Sequence, residues 1–292
     1  MRTFMAMLAT TLLGSGLIST SAFGQAEVAG MWVAQYHEDQ PERVPGPELG
    51  DYLGLPINDA ARMRGETYNS SILTLPEFQC RPHPSDYGDR HSHVRISLQL
   101  DHATQEPIAV LTHREWQAQE RTLWLDDRPH PPDYAAHTWQ GFSTAKWDGY
   151  NNLTIFTTHL KESYIRRNGM PRSDRSTVVE HFVRHGQYLT IATIVSDTVY
   201  LTEPLIKTSD YLLDPSHVMP PYPCDYVQEV VRAKGAVPSY LPGTNPFTTE
   251  FAEHYHLPVI ATRGGAETMY PEFRNKIRNA APASVTSTKA SK

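Results

Sequence analysis

From residue 94 to residue 213 the chain is dominated by short runs in which apolar and polar residues alternate. Val94, Ile96, Leu98 and Leu100 take every second position, the period of a strand with one buried face. Strands are likewise predicted over residues 108–112, 121–125, 153–160, 176–184, 187–195, 205–213 and 226–231, with a first strand at 28–33. His185-Gly186 is a tight hairpin signal, and 148–152 is a second turn between strands. Helical patterns are few. Asn58 is placed to cap a short helix over 59–67, and 248–256 and 267–279 read as short helices. The proline-rich stretches 41–56 and 76–87 read as irregular wraps. Many short strands separated by turns predict a β-rich fold, an antiparallel barrel-like sheet with an irregular N-terminal wrap and short C-terminal helices. A two-sheet sandwich is the alternative. On this pattern residues 25–246 form the β-rich domain, 247–279 a helical extension packed on it, and 280–292, small, polar and basic at its end, a disordered tail.

The first 24 residues stand apart. Arg2 precedes an apolar run over 5–18, and Ala22-Phe23-Gly24 has the small-x-small form of a cleavage site, so the segment reads as a secretory signal peptide. It is short for a membrane anchor, and no later segment is apolar enough to span a bilayer. The expected location is periplasmic or secreted. Removing Arg2 leaves 25 basic against 32 acidic residues, a net charge of −7. That balance argues against nucleic acid, whose phosphates demand a basic face. In an oxidising compartment Cys80 and Cys224, the two cysteines of the chain, are expected to pair; two free buried thiols are the alternative. Oligomeric state is not readable.

Candidate chemistry concentrates between residues 121 and 185, where five histidines, several arginines and carboxylates interrupt β-branched and aromatic residues. Polar groups within apolar strands are costly unless paired or used. In the 153–159 strand, His159 shares a face with Leu153, Ile155 and Thr157. In the 177–184 strand, one of the neighbours Glu180 and His181 must point inward. An inward histidine beside an acid suits proton transfer near neutral pH; the blander reading is a buried histidine bonded to a backbone carbonyl. His130, His137, His159 and His181 are of the residue type that binds zinc, but no HExxH motif orders them, and no cofactor is expected. Residues 166–175 carry four arginines around Gly169 and Pro171, a loop able to fork onto an anion or to lock itself through Asp174. No GxSxG elbow, P-loop or GxGxxG fingerprint occurs. Trp116, Trp124, Trp139 and Trp147 suit either an apolar pocket or a core.

Two resemblances follow. Gly30-Met31-Trp32 resembles the GxW start of lipocalin-type barrels. Arg128-Pro129-His130-Pro131, His137-Thr138-Trp139-Gln140-Gly141, Arg167-Asn168-Gly169 and Arg172-Ser173-Asp174 resemble a group of secreted bacterial proteins without an assigned activity. That resemblance implies export and a single domain and names no reaction. The residues themselves predict a small, partly apolar ligand in a barrel-like pocket. In the enzymatic reading, cofactor-free acid/base chemistry of isomerase, hydratase or lyase type, His159 is the base and His137 a second acid/base group. Asp174 then orients and Arg172 stabilises negative charge, with Trp139, His130, Arg167, His181 and Glu180 binding the ligand. A ligand-binding or envelope interaction protein without catalysis is the alternative.

Overall fold

The computed structural model describes residues 27–36, 47–52, 54–69, 76–88, 92–225 and 233–283. The expected signal peptide, the 226–231 strand, part of the 41–56 wrap and most of the C-terminal tail lie outside the described residues. Nine strands close into one barrel. They are β1 (Gly30–Gln35), β2 (Val94–Leu100), β3 (Pro107–Arg114), β4 (Gln119–Trp124), β5 (Phe142–Trp147), β6 (Asn152–Thr158), β9 (Thr177–His185), β10 (Tyr188–Ser196) and β11 (Leu205–Leu213). Around the barrel their order is β1-β11-β10-β9-β6-β5-β4-β3-β2, with β2 returning to β1. A two-stranded ribbon, β7 (Ser163–Tyr164) with β8 (Pro171–Arg172), stands beside it.

The period-2 pattern lies where the sheet is. In β9 and β10 alternate residues are buried, and His185 pairs with Tyr188 across the Gly186-Gln187 turn. The expectation of an antiparallel sheet meets one departure. β4 and β5 pair in parallel, Leu123 beside Ser143 and Trp124 beside Thr144, because residues 125–141 cross one end of the barrel instead of turning back as a hairpin.

Alternate side chains of the nine strands are buried, except that Leu98 and Leu100 at the end of β2 are exposed, and the buried ones sort by polarity along the barrel axis. One half is apolar: Trp32, Ile96, Leu123, Ile155, Phe182 and Tyr211 are within 2 % of complete burial. Trp32 donates its indole N–H to the Val28 carbonyl at 2.8 Å and carries Arg184 over its ring at 5.4 Å. The other half is a polar belt. Arg121 forks onto Glu180 at 2.9 and 2.5 Å and also donates to Thr157 (2.6 Å) and Ser143 (3.1 Å). Arg114 donates to the Tyr211 hydroxyl at 3.2 Å. Such charges persist out of water only when every donor finds an acceptor. Above the belt a second apolar cluster, including Tyr52, Ile57, Leu160, Met170 and Leu201, plugs that end.

The plug is held by the irregular segments. Helix α1 (Asp59–Glu66) begins at Asn58, whose side chain accepts the Ala61 amide at 3.0 Å, as expected of its cap. Short helices α2 (Ser85–Gly88), α3 (Glu250–His254) and α4 (Val259–Arg263) follow in chain order. The helix expected over 267–279 is divided: a 3-10 turn ends at Met269 and α5 starts at Pro271 (Pro271–Asn279). Proline lacks the amide that would continue the first turn. A disulfide joins Cys80 to Cys224 across 144 residues. Among the described residues no helix is long and apolar enough to cross a membrane.

Candidate functional site

The end of the barrel where β6 finishes and β9 starts carries a cleft of about 620 Å³. His130, His137, His159, Asp174, Arg175 and Thr158 are among the groups that line it. Three separated segments meet there. Residues 130–137 come from the β4–β5 crossover, 158–159 from the end of β6, and 174–177 from the loop entering β9. The Thr138 amide donates to the His159 carbonyl and the Lys161 amide to the Thr138 carbonyl, each at 2.9 Å. The crossover is therefore fastened to an extension of β6. His159 sits at φ +58°, a left-handed conformation that a residue with a Cβ adopts only when its surroundings impose it.

The hydrogen bonds fix the protons. His159 Nε2 lies 3.0 Å from the Pro132 carbonyl. A carbonyl only accepts, so Nε2 carries the proton and Nδ1 is an acceptor. It takes the Thr158 hydroxyl proton at 2.7 Å. Thr158 Oγ1 in turn accepts from His130 Nδ1 at 2.7 Å, and His130 Nε2 accepts from the Thr144 hydroxyl at 3.0 Å. The chain runs one way and ends on a carbonyl that cannot keep a proton. It locks two rings in place and is no relay. Burial, and the positive charge of His159 whenever that ring is protonated, hold the His130 pKa below its ordinary value. His137 differs. Its Nδ1 donates to the Leu160 carbonyl at 3.0 Å, and Nε2 has no partner among the described residues. Its ring stands 5.2 Å from that of His159, centroid to centroid. A ring held through Nδ1 with Nε2 left open is the arrangement a base or a ligand takes.

The remaining predicted residues are spread more widely. Asp174 and its neighbour Arg175 are exposed on the cleft wall, and neither forms an ion pair among the described residues. Arg172 does not reach the cleft. It is wholly buried, 3.2 Å from Asp86, and donates to the carbonyls of Ser173 (2.9 Å) and Lys161 (3.0 Å) and to Ser176 Oγ (2.6 Å). A guanidinium so buried and so bonded holds the loop and does not reach a substrate in the cleft. Glu180 is the inward member of its pair, and both its oxygens are taken by Arg121 inside the barrel. His181 faces outward on β9, its Nδ1 within 3.3 Å of Asn152 and 3.2 Å of Thr154. Trp139 lines a separate hollow of about 270 Å³ with Arg64, Arg81 and Glu162, with Lys161 Nζ 5.3 Å from its ring. Arg167 is buried beside His83. The shared interior expected to gather these groups is already filled, and the one predicted residue that points into it is Glu180.

Sequence reading missed a second layer of buried polar groups. His83, Ser85 and Asp86 come from the 76–87 stretch, which reads as irregular wrap in the sequence, and all three are buried. Burial, reinforced by the nearby Arg167 charge, pushes His83 down to about 3. Only the three-dimensional partners, Arg172 above all, mark this layer; the local letters RPHPSDYG carry no periodic signal. By contrast, the motifs RPHP, HTWQG and RSD each contribute a wall residue to the cleft, His130, His137 and Asp174. A scan against models of known protein families finds no match for this chain, and a search of curated proteins finds no significant relative.

Proposed function

We propose that this is an exported protein whose rim cleft takes a small, partly apolar molecule bearing a carbonyl or carboxylate, with His137 as the proton-transferring group. Export is supported by the signal-like first 24 residues and by the disulfide between Cys80 and Cys224. The observation that carries the chemical reading is the open Nε2 of His137, whose ring orientation is set by the bond from Nδ1–H to the Leu160 carbonyl. Its neighbour His159 has both nitrogens engaged by protein, so the base is assigned to His137 and His159 positions the cleft wall. Arg175, exposed on the same cleft, takes the role of anion stabiliser that Arg172 cannot fill. In the reaction of isomerase type, His137 Nε2 accepts a proton from the carbon next to the carbonyl. The C–H electron pair moves into the new C=C bond while the carbonyl oxygen takes the negative charge opposite Arg175. In a substrate with a further C=C conjugated to that enolate, the imidazolium then returns the proton to the far end of the conjugated system, as the C=O re-forms and the C=C shifts by one position. No cofactor is needed for that balance.

The test starts with small molecules that co-purify with the protein from a periplasmic fraction, identified by mass spectrometry. A carbonyl or carboxylate compound recovered with the wild type should be lost from Arg175→Ala. Incubated in D2O with wild-type protein it should gain deuterium at the carbon next to the carbonyl, and His137→Gln should stop that exchange while still binding. Exchange surviving in His137→Gln refutes the assignment of the base. Binding by both variants without any exchange in the wild type establishes the non-catalytic reading in its place.

A further inference from the structure

Among the described residues, one group of side chains, away from the cleft, has the donor set of a metal site. His93 precedes β2, Glu115 follows β3, and His217 lies on the strap that leaves β11 and runs to Cys224. Their nearest ligand atoms all lie within 4.8 Å of one another. His217 Nε2 is 3.0 Å and His93 Nε2 3.9 Å from the same oxygen, Glu115 Oε2. The two imidazole rings are 4.4 Å apart at 67°, so their Nε2 edges converge without stacking. The Glu115 amide donates to the His93 carbonyl at 3.1 Å, which fixes two of the three donors to each other through backbone. A hollow of about 270 Å³ lined by Tyr36, Ser92, His93, Glu115, Trp116 and Tyr222 adjoins the group and leaves a further coordination position open to solvent.

We infer that His93, Glu115 and His217 form a binding site for a borderline divalent transition metal, with Zn2+ as the best-matched ion. Two imidazoles and one carboxylate are the ligand types zinc takes, and three protein ligands with an open position are a recurrent zinc arrangement. Calcium and magnesium demand oxygen donors and are excluded by the two nitrogens. The three atoms must close to the ligand separations of a tetrahedral ion, a movement of under about 1 Å for bonds of about 2.0–2.2 Å. His217 meets the proton requirement directly, since its proton can rest on Nδ1. His93 must change tautomer, because its Nδ1 accepts the Ala34 amide at 3.0 Å. Leaving the Ala34 amide without that acceptor weakens binding by a factor of roughly 5 to 150. Structural zinc sites bind tightly enough to absorb a loss of that size. The site stands apart from the proposed cleft and does not depend on it. Bound metal would join the end of β2, the β3–β4 turn and the strap at one point.

The experiment is a Zn2+ titration by calorimetry of the full chain after chelator treatment and dialysis. The variants are His217→Ala, Glu115→Gln and His137→Ala, each checked for folding by circular dichroism. The wild type should bind one equivalent. His217→Ala and Glu115→Gln should each weaken binding by about 100-fold or more, and His137→Ala should leave it unchanged. Co2+ in place of zinc should give visible absorption that His217→Ala abolishes. Absence of saturable uptake by the wild type overturns the inference. So does uptake that survives both His217→Ala and Glu115→Gln, and so does uptake lost in His137→Ala, which would put the ion in the cleft.

Discussion

Replacing Glu180 by Gln should be among the most damaging single changes that alter no shape. Glu180 is fully buried, and Arg121 places two guanidinium nitrogens on its two oxygens, at 2.9 and 2.5 Å. Gln keeps the volume and one acceptor but leaves the Arg121 charge in the barrel without a counter-charge. Removing one member of a buried ion pair costs about 3–5 kcal/mol. In a domain of this size that lowers Tm by roughly 6–20 °C. The remaining partners, Thr157 at 2.6 Å and Ser143 at 3.1 Å, are neutral hydroxyls and cannot replace the carboxylate. Replacing both charges together, Arg121→Met with Glu180→Leu, removes the desolvation penalty along with the attraction. Ser143 and Thr157 still bond each other at 3.0 Å. The double variant should therefore recover most of the loss and fall within about 1–2 kcal/mol of wild type. The assay is urea unfolding followed by circular dichroism for the wild type, both single variants and the double variant. A Glu180→Gln loss below about 1 kcal/mol, or a double variant as unstable as the sum of its singles, would show that the belt is not held by this pair.

Two further predictions concern the layer above the belt and the cleft hinge. His83, with its folded pKa pushed down to about 3, stays neutral where the unfolded chain takes up a proton near pH 6.5. Stability should thus be complete above that value and fall as the pH drops toward 3, at up to about 1.4 kcal/mol per pH unit. His83→Gln should flatten that slope in urea titrations at pH 7.5 and 4.5, and an unaltered slope would refute it. Gly141 has φ +69°, and a Cβ there would stand 2.5 Å from the Thr158 carbonyl oxygen. Gly141→Ala should cost about 1–3 kcal/mol from backbone strain alone and disturb the Thr158–His159 bond. Calorimetric Tm measures the first effect, and the His159 ring resonances in NMR report the second. An alanine variant with wild-type Tm would mean that the turn relaxes freely.

The sheet was legible where one face of a strand is apolar and the other is not, as in β2, β6, β9 and β10. β5 was not, apart from its Trp147 end, because its inward residues are Ser143 and Ala145. Ser143 is small and polar to suit Arg121, so packing chemistry erased the hydrophobic signal that would have announced the strand. The parallel β4–β5 pair escaped for a related reason: a crossover and a loop look alike in sequence. The candidate site was legible as a neighbourhood. His130, His137, His159 and Asp174 do converge on one cleft. Which of their ring nitrogens are bonded and which are open was hidden, because it depends on which ring nitrogen faces a backbone carbonyl. Pro132 and Leu160 supply those carbonyls, and residue type does not encode their positions. Arg172 shows the same limit from the other side, since Asp86 lies far away in sequence and nothing local announces their pairing.

The location of the cleft follows from how the barrel spends its interior. Apolar side chains fill one half, Arg121 and Glu180 with their hydroxyl partners occupy the next layer, and the Tyr52–Leu201 cluster seals the end. A ligand entering there would have to displace close-packed side chains or strip a buried ion pair of its partners, and either costs more than a small molecule returns on binding. The cleft accordingly lies at the rim, where the chain must leave the sheet. Precision at a rim is hard to obtain from loops alone. Here the crossover is bonded to the β6 extension at Thr138, and the opposing loop is anchored underneath by Arg172 and by Asp197, which accepts from the Ser173 amide and hydroxyl, each at 2.7 Å. Two buried charges that do not touch the cleft thus decide how accurately Asp174 and Arg175 face His137. Substitutions at Arg172 or Asp197 should loosen the cleft before they unfold the barrel, whereas substitutions at Arg175 should alter ligand binding and leave the fold as it is.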